Sequence, residues 1–232
     1  MSIVAPPLPA PDDKSGVKID YVAKRLAVAL APLGFKRKGR LLTLAAGEGD
    51  AAHWRIVHVQ AGKWNEGPRG EFYVNLAVQY PALMRLAAQR QGMAWLLEHL
   101  DKPDEAAGQA RARLGHLMSA LPPEHPCARP GNVDEWKFSR HVDIEPLADG
   151  VVRGLLDVGV PWLEQHGTLR ALADHEESLL AVDVDMRIAA AVLLGDREHA
   201  QRVLVDRQRR FTSNGAAYLQ MMRPWLAGLG LD

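Results

Sequence analysis

The sequence has a single cysteine, no net charge and no long apolar run, and each of these shortages excludes a class of protein. Cys127 alone can form neither an internal disulfide nor a multi-cysteine zinc site. The 28 basic and 28 acidic residues cancel, so no overall field attracts nucleic acid or an anionic membrane. No apolar stretch approaches the roughly 18 residues of a membrane span, and residues 1–16 lack the charged start and apolar core of a signal peptide. We therefore expect a soluble cytoplasmic protein without a membrane partner.

Motifs that name a reaction are also missing. The sequence contains no Gly-rich phosphate loop, nucleophile elbow, dinucleotide fingerprint or His-Glu-x-x-His helix motif. Cys127 lies among prolines without a recognisable base or oxyanion site, and we interpret it as a loop thiol without function. The sequence thus predicts no catalytic residue, no metal site and no cofactor. A metal-hydrolase hypothesis is kept because His141 and Asp143 would share one face of a strand, where Glu135 or His125 could approach them.

The amino-acid composition is that of a folded protein, since 47% of the 232 residues are hydrophobic and 24% are charged. The strand and helix patterns predict an α+β fold in which a small antiparallel β-sheet packs against helices, with a helical C-terminal region. The predicted domains are a disordered Pro-rich leader over residues 1–16, a sheet-containing core over 17–145, and a helical region packed on that core over 146–232.

Helix signals occur before, between and after the predicted strands. The first helix, near the N-terminus, is expected to hold Lys18 on its solvent side. Pro81 is expected to open a long helix, and a second helix is predicted over roughly 104–121. In the C-terminal region, Thr168 is the predicted N-cap of one helix and Gly195 the turn of a helical hairpin.

Four stretches have strand character, at residues 41–44, 53–61, 71–80 and 135–142. The alternation is clearest in the third stretch. Phe72 and Val74 belong to one face, while Tyr73 and Asn75 belong to the other, because successive side chains of a strand point to opposite faces. The first of these faces is predicted to be core and the second to be partly polar.

A polar constellation follows from these strands. His58 and Gln60 share a face by the same period of two, and they meet Tyr73 and Asn75 only in one register, since a slip of one residue would substitute Val59 for His58. An open face could grip a ligand or a partner's backbone. Alternatively, helices cover it and the four groups satisfy one another by hydrogen bonds; we favour this second interpretation.

The loop between the two long strands contains an aromatic side chain. Residues 62–70 are more than a minimal hairpin turn needs, and Trp64 must either fold back or be exposed. A binding loop would expose it. Because large aromatic side chains are commonly buried, the favoured prediction is that Trp64 forms a lid on the core.

A dense group of cations follows the first predicted helix. Lys36, Arg37, Lys38 and Arg40 are predicted to form a basic turn that would attract phosphate. Phe35 adjoins it and could stack on a base. This turn supports a hypothesis of nucleic-acid binding or nucleotide processing, against the ordinary expectation of a solvated charged surface.

The same stretches carry a family resemblance. They are Leu-Gly-Phe-Lys-Arg-Lys-Gly-Arg at residues 33–40, Val-His-Val-Gln at 57–60, Trp64, and Phe-Tyr-Val-Asn-Leu at 72–76. In order and spacing they resemble the bacterial family called domain of unknown function 4304, over residues from about 18 to 210. The resemblance implies an α+β fold and a bacterial source, but it implies no established activity.

The leading functional hypothesis is a non-enzymatic cytoplasmic binding protein. By analogy with other small bacterial families, its specific form is an immunity-type inhibitor that neutralises a cognate toxin by direct binding. The alternative is the nucleic-acid hypothesis, which uses the basic turn from Lys36 to Arg40. Neither hypothesis requires a catalytic group.

Overall fold

The computed structural model describes residues 6–90, 92–131, 133–175, 184–210 and 215–231. The chain forms two compact units, each assembled from separate segments. Unit 1 comprises residues 1–44, 55–77 and 112–164, and unit 2 comprises residues 45–54, 78–111 and 165–232. The domain boundaries predicted from the sequence, including the disordered leader, stay predictions.

The strands form a six-stranded antiparallel sheet, which confirms the predicted α+β class. They are β1 Lys36–Lys38, β2 Leu41–Ala46, β3 His53–Ala61, β4 Gly70–Gln79, β5 Ala110–Arg113 and β6 Glu135–Phe138. The order is β1-β2-β3-β4-β5, and β6 also pairs with β4. The predicted basic turn is wrong in part, because Lys36 to Lys38 form an edge strand opposite Thr43 to Leu41. Only the glycine and arginine that follow form the turn, where Gly39 has a φ of 62°.

Helices flank these strands in the chain. They are α1 Ser15–Leu30, α2 Pro81–Ala87, α3 Leu114–Ser119, α4 Ile144–Gly154, α5 Val160–Gln165, α6 Leu169–Ala173, α7 Val184–Leu193, α8 Arg197–Arg210 and α9 Gly215–Gly228. A π-helical segment, Leu155–Gly159, joins α4 to α5. Within the described ranges, no helix has the length and apolar character needed to cross a bilayer.

Two helix predictions are wrong. The helix predicted over 104–121 is replaced by a short 3-10 helix, β5 and α3. Ala110 and Ala112 are buried while the arginines between and after them are exposed, so a period of two prevails over the helical spacing. The helix that begins at Pro81 ends at Ala87, and a separate 3-10 helix, Ala94–His99, follows it.

The prediction that Lys18 faces solvent is also wrong, since only 1% of its surface is exposed. Its ammonium group donates to three backbone carbonyls, those of Pro11 at 2.6 Å, Pro68 at 3.3 Å and Ser139 at 3.3 Å. An ammonium group has three donors and no acceptor, so these carbonyls use its full capacity. The burial of its charge is therefore compensated by hydrogen bonds.

A large part of the unit 1 core lies on the face of the sheet opposite to His58 and Asn75. Val57, Val59, Val74 and Leu76 are fully buried, and helix α1 packs against α4. At Gly159, at the end of the π-helical segment, an added Cβ would lie 3.3 Å from Leu76 Cδ1 and 2.7 Å from a leucine side chain of the same segment. Glycine thus permits this helix to approach the sheet closely.

Unit 2 is organised around α7, which packs against α2, α6 and α8. Two predicted helix signals are confirmed here. The hydroxyl of Thr168 accepts a hydrogen bond from the backbone N–H of Ala171 at 3.1 Å, and Gly195, with a φ of 74°, turns the chain from α7 into α8. The segment that follows α2 is tied to α7 by an ion pair, in which Arg90 Nη1 lies 2.7 Å from the buried Asp185 carboxylate.

Replacing Asp185 by alanine would leave the guanidinium of Arg90 largely buried without its anion. We expect the free energy of unfolding, from urea denaturation followed by circular dichroism, to fall by about 3 kcal/mol. Glu198→Gln is the matched control in the same unit, because its ion pair with Arg202 is solvent-exposed and should cost less than about 1 kcal/mol. Equal effects of the two substitutions would contradict a structural role for the buried pair.

Candidate functional site

The polar residues of β3 and β4 share one face of the sheet. Asn75 Nδ2 donates to Gln60 Oε1 at 2.8 Å, which requires the two side chains to lie on the same face. Since side chains alternate along a strand, His58 and Tyr73 lie on this face as well. The four residues predicted from the alternation are therefore on one surface, and the register left open by the sequence is settled.

This face is covered at one end only. Asn75 is buried, as expected for a covered face, and His58 and Tyr73 are half-buried. Gln60 is exposed, so the expectation that helices cover all four polar residues is wrong for Gln60. Gln60 and Asn75 are bonded to each other as predicted, but Tyr73 donates to Glu71, which is outside the predicted group.

Tyr73 is surrounded by charged side chains. The Arg113 guanidinium lies 4.4 Å from the centroid of the Tyr73 ring and forms an ion pair with Asp134. The Tyr73 hydroxyl donates to Glu71 Oε1 at 3.1 Å. Burial, followed by this hydrogen bond, raises the pKa of Tyr73 above its ordinary value. The hydroxyl thus stays protonated at neutral pH and acts as a donor, not as a base.

Strand β6 extends the charged row. Its residue Glu135 lies opposite Tyr73, and Lys137 lies opposite Glu71. Lys137 Nζ is 2.9 Å from Glu135 Oε1. This hydrogen bond is the main cause that lowers the pKa of Glu135 to about 2. Arg113 and Asp134 were not predicted, because β5 was assigned to a helix and Asp134 lies in a Pro- and Gly-containing loop.

The prediction that Trp64 forms a lid on the core is wrong, since 80% of its surface is exposed. The neighbouring Asn65 closes the end of the hairpin instead, accepting from the Glu71 N–H at 2.8 Å and donating to the Glu71 carbonyl at 3.0 Å. Gly70 makes room for it, because a Cβ there would lie 2.8 Å from Asn65 Cγ. The Lys63 ammonium lies 4.9 Å from the centroid of the Trp64 ring.

The rest of this loop is fixed by backbone hydrogen bonds. Glu66 and Arg69 exchange two bonds of 3.0 Å each across a tight turn. The Ser15 N–H at the start of α1 donates to the Gly67 carbonyl at 2.6 Å. Together with the bond from Lys18 to the Pro68 carbonyl, these contacts hold Trp64 on an ordered loop, not on a loose one.

A cleft lies between this loop and the end of β6. It has a volume of about 380 Å³ and is lined by Trp64, Asn65, Glu66, Arg69, Gly70, Glu71, Lys137, Phe138, Ser139 and Val142; we call it the Trp64 cleft. Val142 is 41% exposed at its rim. Trp64, Phe138 and Val142 give the cleft an apolar part, and polar or charged residues line most of the rest. Such a combination can receive a side chain or a small ligand.

The predicted basic residues do not form one free cluster. Lys36, Arg37 and Lys38 are exposed along β1, and Arg37 Nη1 donates to the Gly39 carbonyl at 2.7 Å. Arg40 instead pairs with Asp20 on α1, with 2.6 Å between Nε and Oδ1. Its charge is therefore compensated within the protein.

The residues considered for metal or covalent chemistry do not form such sites. His141 lies in a turn after β6, and Asp143 caps α4 by accepting from the Glu145 N–H at 3.0 Å. Cys127 is buried, and its thiol donates to Asp157 Oδ2 at 3.5 Å. Burial, and then the Asp157 carboxylate, raise the pKa of Cys127, which disfavours the thiolate. Among the described residues, no three His, Cys, Asp or Glu side chains are grouped to hold a metal ion.

A family model described as Domain of unknown function (DUF4304) matches residues 26–165, which is more than half of the chain. The chain belongs to this family. The DUF4304 region includes all nine predicted site residues and the whole lining of the Trp64 cleft. It begins after Lys18. Comparison with curated proteins and with solved structures gives no match.

Lys137→Met tests the electrostatics of the polar face. Without the ammonium group, we expect the pKa of Glu135 to rise from about 2 toward its ordinary value of 4.5, as measured by carboxyl carbon shifts in an NMR titration. Because the pKa of Glu135 is lowered only in the folded state, the ionised Glu135 contributes to the stability of the fold. This contribution is complete above the ordinary pKa and is lost as the pH falls through about 2. Lys63→Met is the control, and a pKa that Lys137→Met leaves unchanged would contradict the assignment.

Proposed function

We propose that this DUF4304 protein is a non-enzymatic cytoplasmic binding protein whose protein partner contacts the Trp64 cleft. The observation that carries the proposal is the 80% exposure of Trp64 on a loop held by several hydrogen bonds. Tryptophan, tyrosine and arginine are the residue types that most often dominate the binding energy of an interface. Trp64 and Arg69 both line this cleft.

The order of the loop strengthens the proposal. A loop that must be fixed on binding consumes part of the interaction energy, whereas a loop fixed beforehand does not. Asn65 and the turn from Glu66 to Arg69 fix the residues next to Trp64 in the free protein. Trp64 therefore presents an exposed aromatic ring at a position that is already fixed before a partner binds.

The chemistry of the adjoining polar face supports recognition over catalysis. Tyr73 has a raised pKa and donates to Glu71, Arg113 is paired with Asp134, and Glu135 is paired with Lys137. These groups are hydrogen-bonded or ion-paired with one another. They can supply hydrogen bonds and charge complementarity, which give specificity to a protein interface.

The specific form that we propose is an immunity-type inhibitor that neutralises a bacterial toxin by direct binding. This step rests on analogy with other small bacterial families and not on a feature of the site. An inhibitor of this kind needs a preformed surface and no catalytic group. The Trp64 cleft and the polar face beside it would provide such a surface.

The nucleic-acid alternative has weaker support. Lys36, Arg37 and Lys38 remain exposed, but Arg40 is held by Asp20. Lysine and arginine on an edge strand also have an ordinary function, because they prevent edge-to-edge association of sheets. The exposed cations of β1 are therefore explained without a phosphate ligand.

Trp64→Ala tests the proposal, with Trp95→Ala as its matched control because Trp95 is also exposed, at 42%. Each variant is co-expressed in a bacterial host with the protein encoded beside its gene, and cell growth and co-purification are measured. We expect the wild type and Trp95→Ala to restore growth and to co-purify with that protein. Trp64→Ala should bind it at least about 30-fold more weakly.

Two outcomes would contradict the proposal. If Trp64→Ala protects and co-purifies as well as the wild type, the cleft is not the binding surface. If the adjacent gene product neither inhibits growth nor binds, the immunity form of the proposal fails.

A further inference from the structure

The outer edge of β6 carries backbone groups that point away from the sheet. On β4, the N–H and C=O of Glu71 are engaged by Asn65 and Gly62, which belong to the β3 side. Glu71 and Lys137 are opposite each other, so they form a pair that exchanges no backbone hydrogen bond with one another. The N–H and C=O of Lys137 therefore point outward from β6.

One end of this edge is already closed. The carbonyl of Glu135, which points outward for the same reason, accepts from Arg129 Nη2 at 3.0 Å. Arg129 also lies over the ring of Trp136, 4.5 Å from its centroid. Among the described residues, no group pairs with the backbone N–H or C=O of Lys137. The open part of the edge is thus at Lys137, a residue that also lines the Trp64 cleft.

The charges around this open edge are unbalanced. Lys63, Arg69 and Arg140 are exposed, and within the described ranges none of them lies within ion-pair distance of a carboxylate. The lining contains two acids, the exposed Glu66 and the half-buried Glu71, and Glu71 already accepts a hydrogen bond from the Tyr73 hydroxyl. The surroundings of the cleft therefore favour an acidic ligand, while Trp64 and Val142 favour an apolar side chain.

We propose that an extended acidic segment of a protein partner pairs with Lys137 as an added strand and places an apolar side chain in the Trp64 cleft. Strand addition at an exposed sheet edge is a common mode of peptide recognition, in which the backbone gives affinity and pockets give specificity. The inference deepens the proposed function and rests on it. A single-stranded nucleic acid could stack on Trp64, but a peptide supplies the paired donor and acceptor that the backbone of Lys137 requires.

The first test uses the isotope-labelled full chain and a synthetic peptide that alternates acidic and apolar residues, Glu-Val-Asp-Leu-Asp-Val-Glu. We expect it to shift the NMR signals of the Lys137 amide and the Trp64 indole, and its lysine-for-acid analogue to bind at least about 10-fold more weakly. Two further peptides are methylated on alternate backbone nitrogens. The two peptides carry their methyl groups on opposite edges of the extended peptide. Methylation of the edge that faces β6 should abolish binding and methylation of the opposite edge should be tolerated, because a strand pairs through one edge at a time.

Several outcomes overturn the inference. Strand pairing is wrong if the NMR signal of the Lys137 amide does not respond to the peptide at concentrations up to about 5 mM. It is also wrong if both methylated peptides bind as well as the parent peptide. Alternatively, oligothymidylate shifts the Trp64 indole while the peptide does not, which would assign the cleft to single-stranded nucleic acid.

A pair of variants tests the same edge in the partner complex. Lys137→Pro removes the outward N–H and adds a ring at the edge, where proline is tolerated in a sheet. Lys137→Ala keeps the backbone N–H and C=O and removes the side chain with its ion pair to Glu135. We expect the proline variant to lose partner binding and the alanine variant to lose at most about 10-fold, with both folds checked by circular dichroism. If Lys137→Pro and the peptide have no effect while Trp64→Ala abolishes binding, strand pairing is wrong and the proposed function stands.

Discussion

The buried ammonium group of Lys18 is the interaction on which the candidate site depends. A charge removed from water needs hydrogen bonds to compensate its lost hydration, and Lys18 obtains them from the carbonyls of Pro11, Pro68 and Ser139. Pro68 belongs to the loop that carries Trp64, and Ser139 follows β6. Both walls of the Trp64 cleft are therefore held by one side chain of α1, together with the segment that precedes the helix.

This arrangement explains how a loop can be both exposed and ordered. The loop lacks an apolar core of its own, and Trp64 adds little burial because its ring faces solvent. Its order comes from polar contacts, which are the Asn65 clamp on Glu71, the turn from Glu66 to Arg69, and the bond to Lys18. Such contacts leave the apolar surface of Trp64 available for a partner, whereas hydrophobic anchoring would have consumed it.

The sequence predicts the parts of this structure that rest on local patterns. The alternation through Tyr73 and Asn75 locates β4, and Thr168 and Gly195 mark a helix start and a helix turn, because each of these signals acts over a few residues. Lys18 could not be found in this way. Its acceptors Pro68 and Ser139 lie 50 and 121 residues further along the chain, and carbonyl groups are common to every residue type, so the sequence carries no signal for them.

Amide hydrogen exchange tests most directly whether Lys18 holds the loop that carries Trp64. The variant Lys18→Met is compared with Lys24→Met, which removes an exposed lysine from the same helix. We predict that Lys18→Met folds but that the amides of Ser15, Arg69 and Glu71 exchange at least about 10-fold faster, because the loop opens locally. The amides of β2 and α8 should be unaffected in both variants. Unchanged protection of the three loop-associated amides in Lys18→Met would contradict the claim that this ammonium group holds the Trp64 cleft in place.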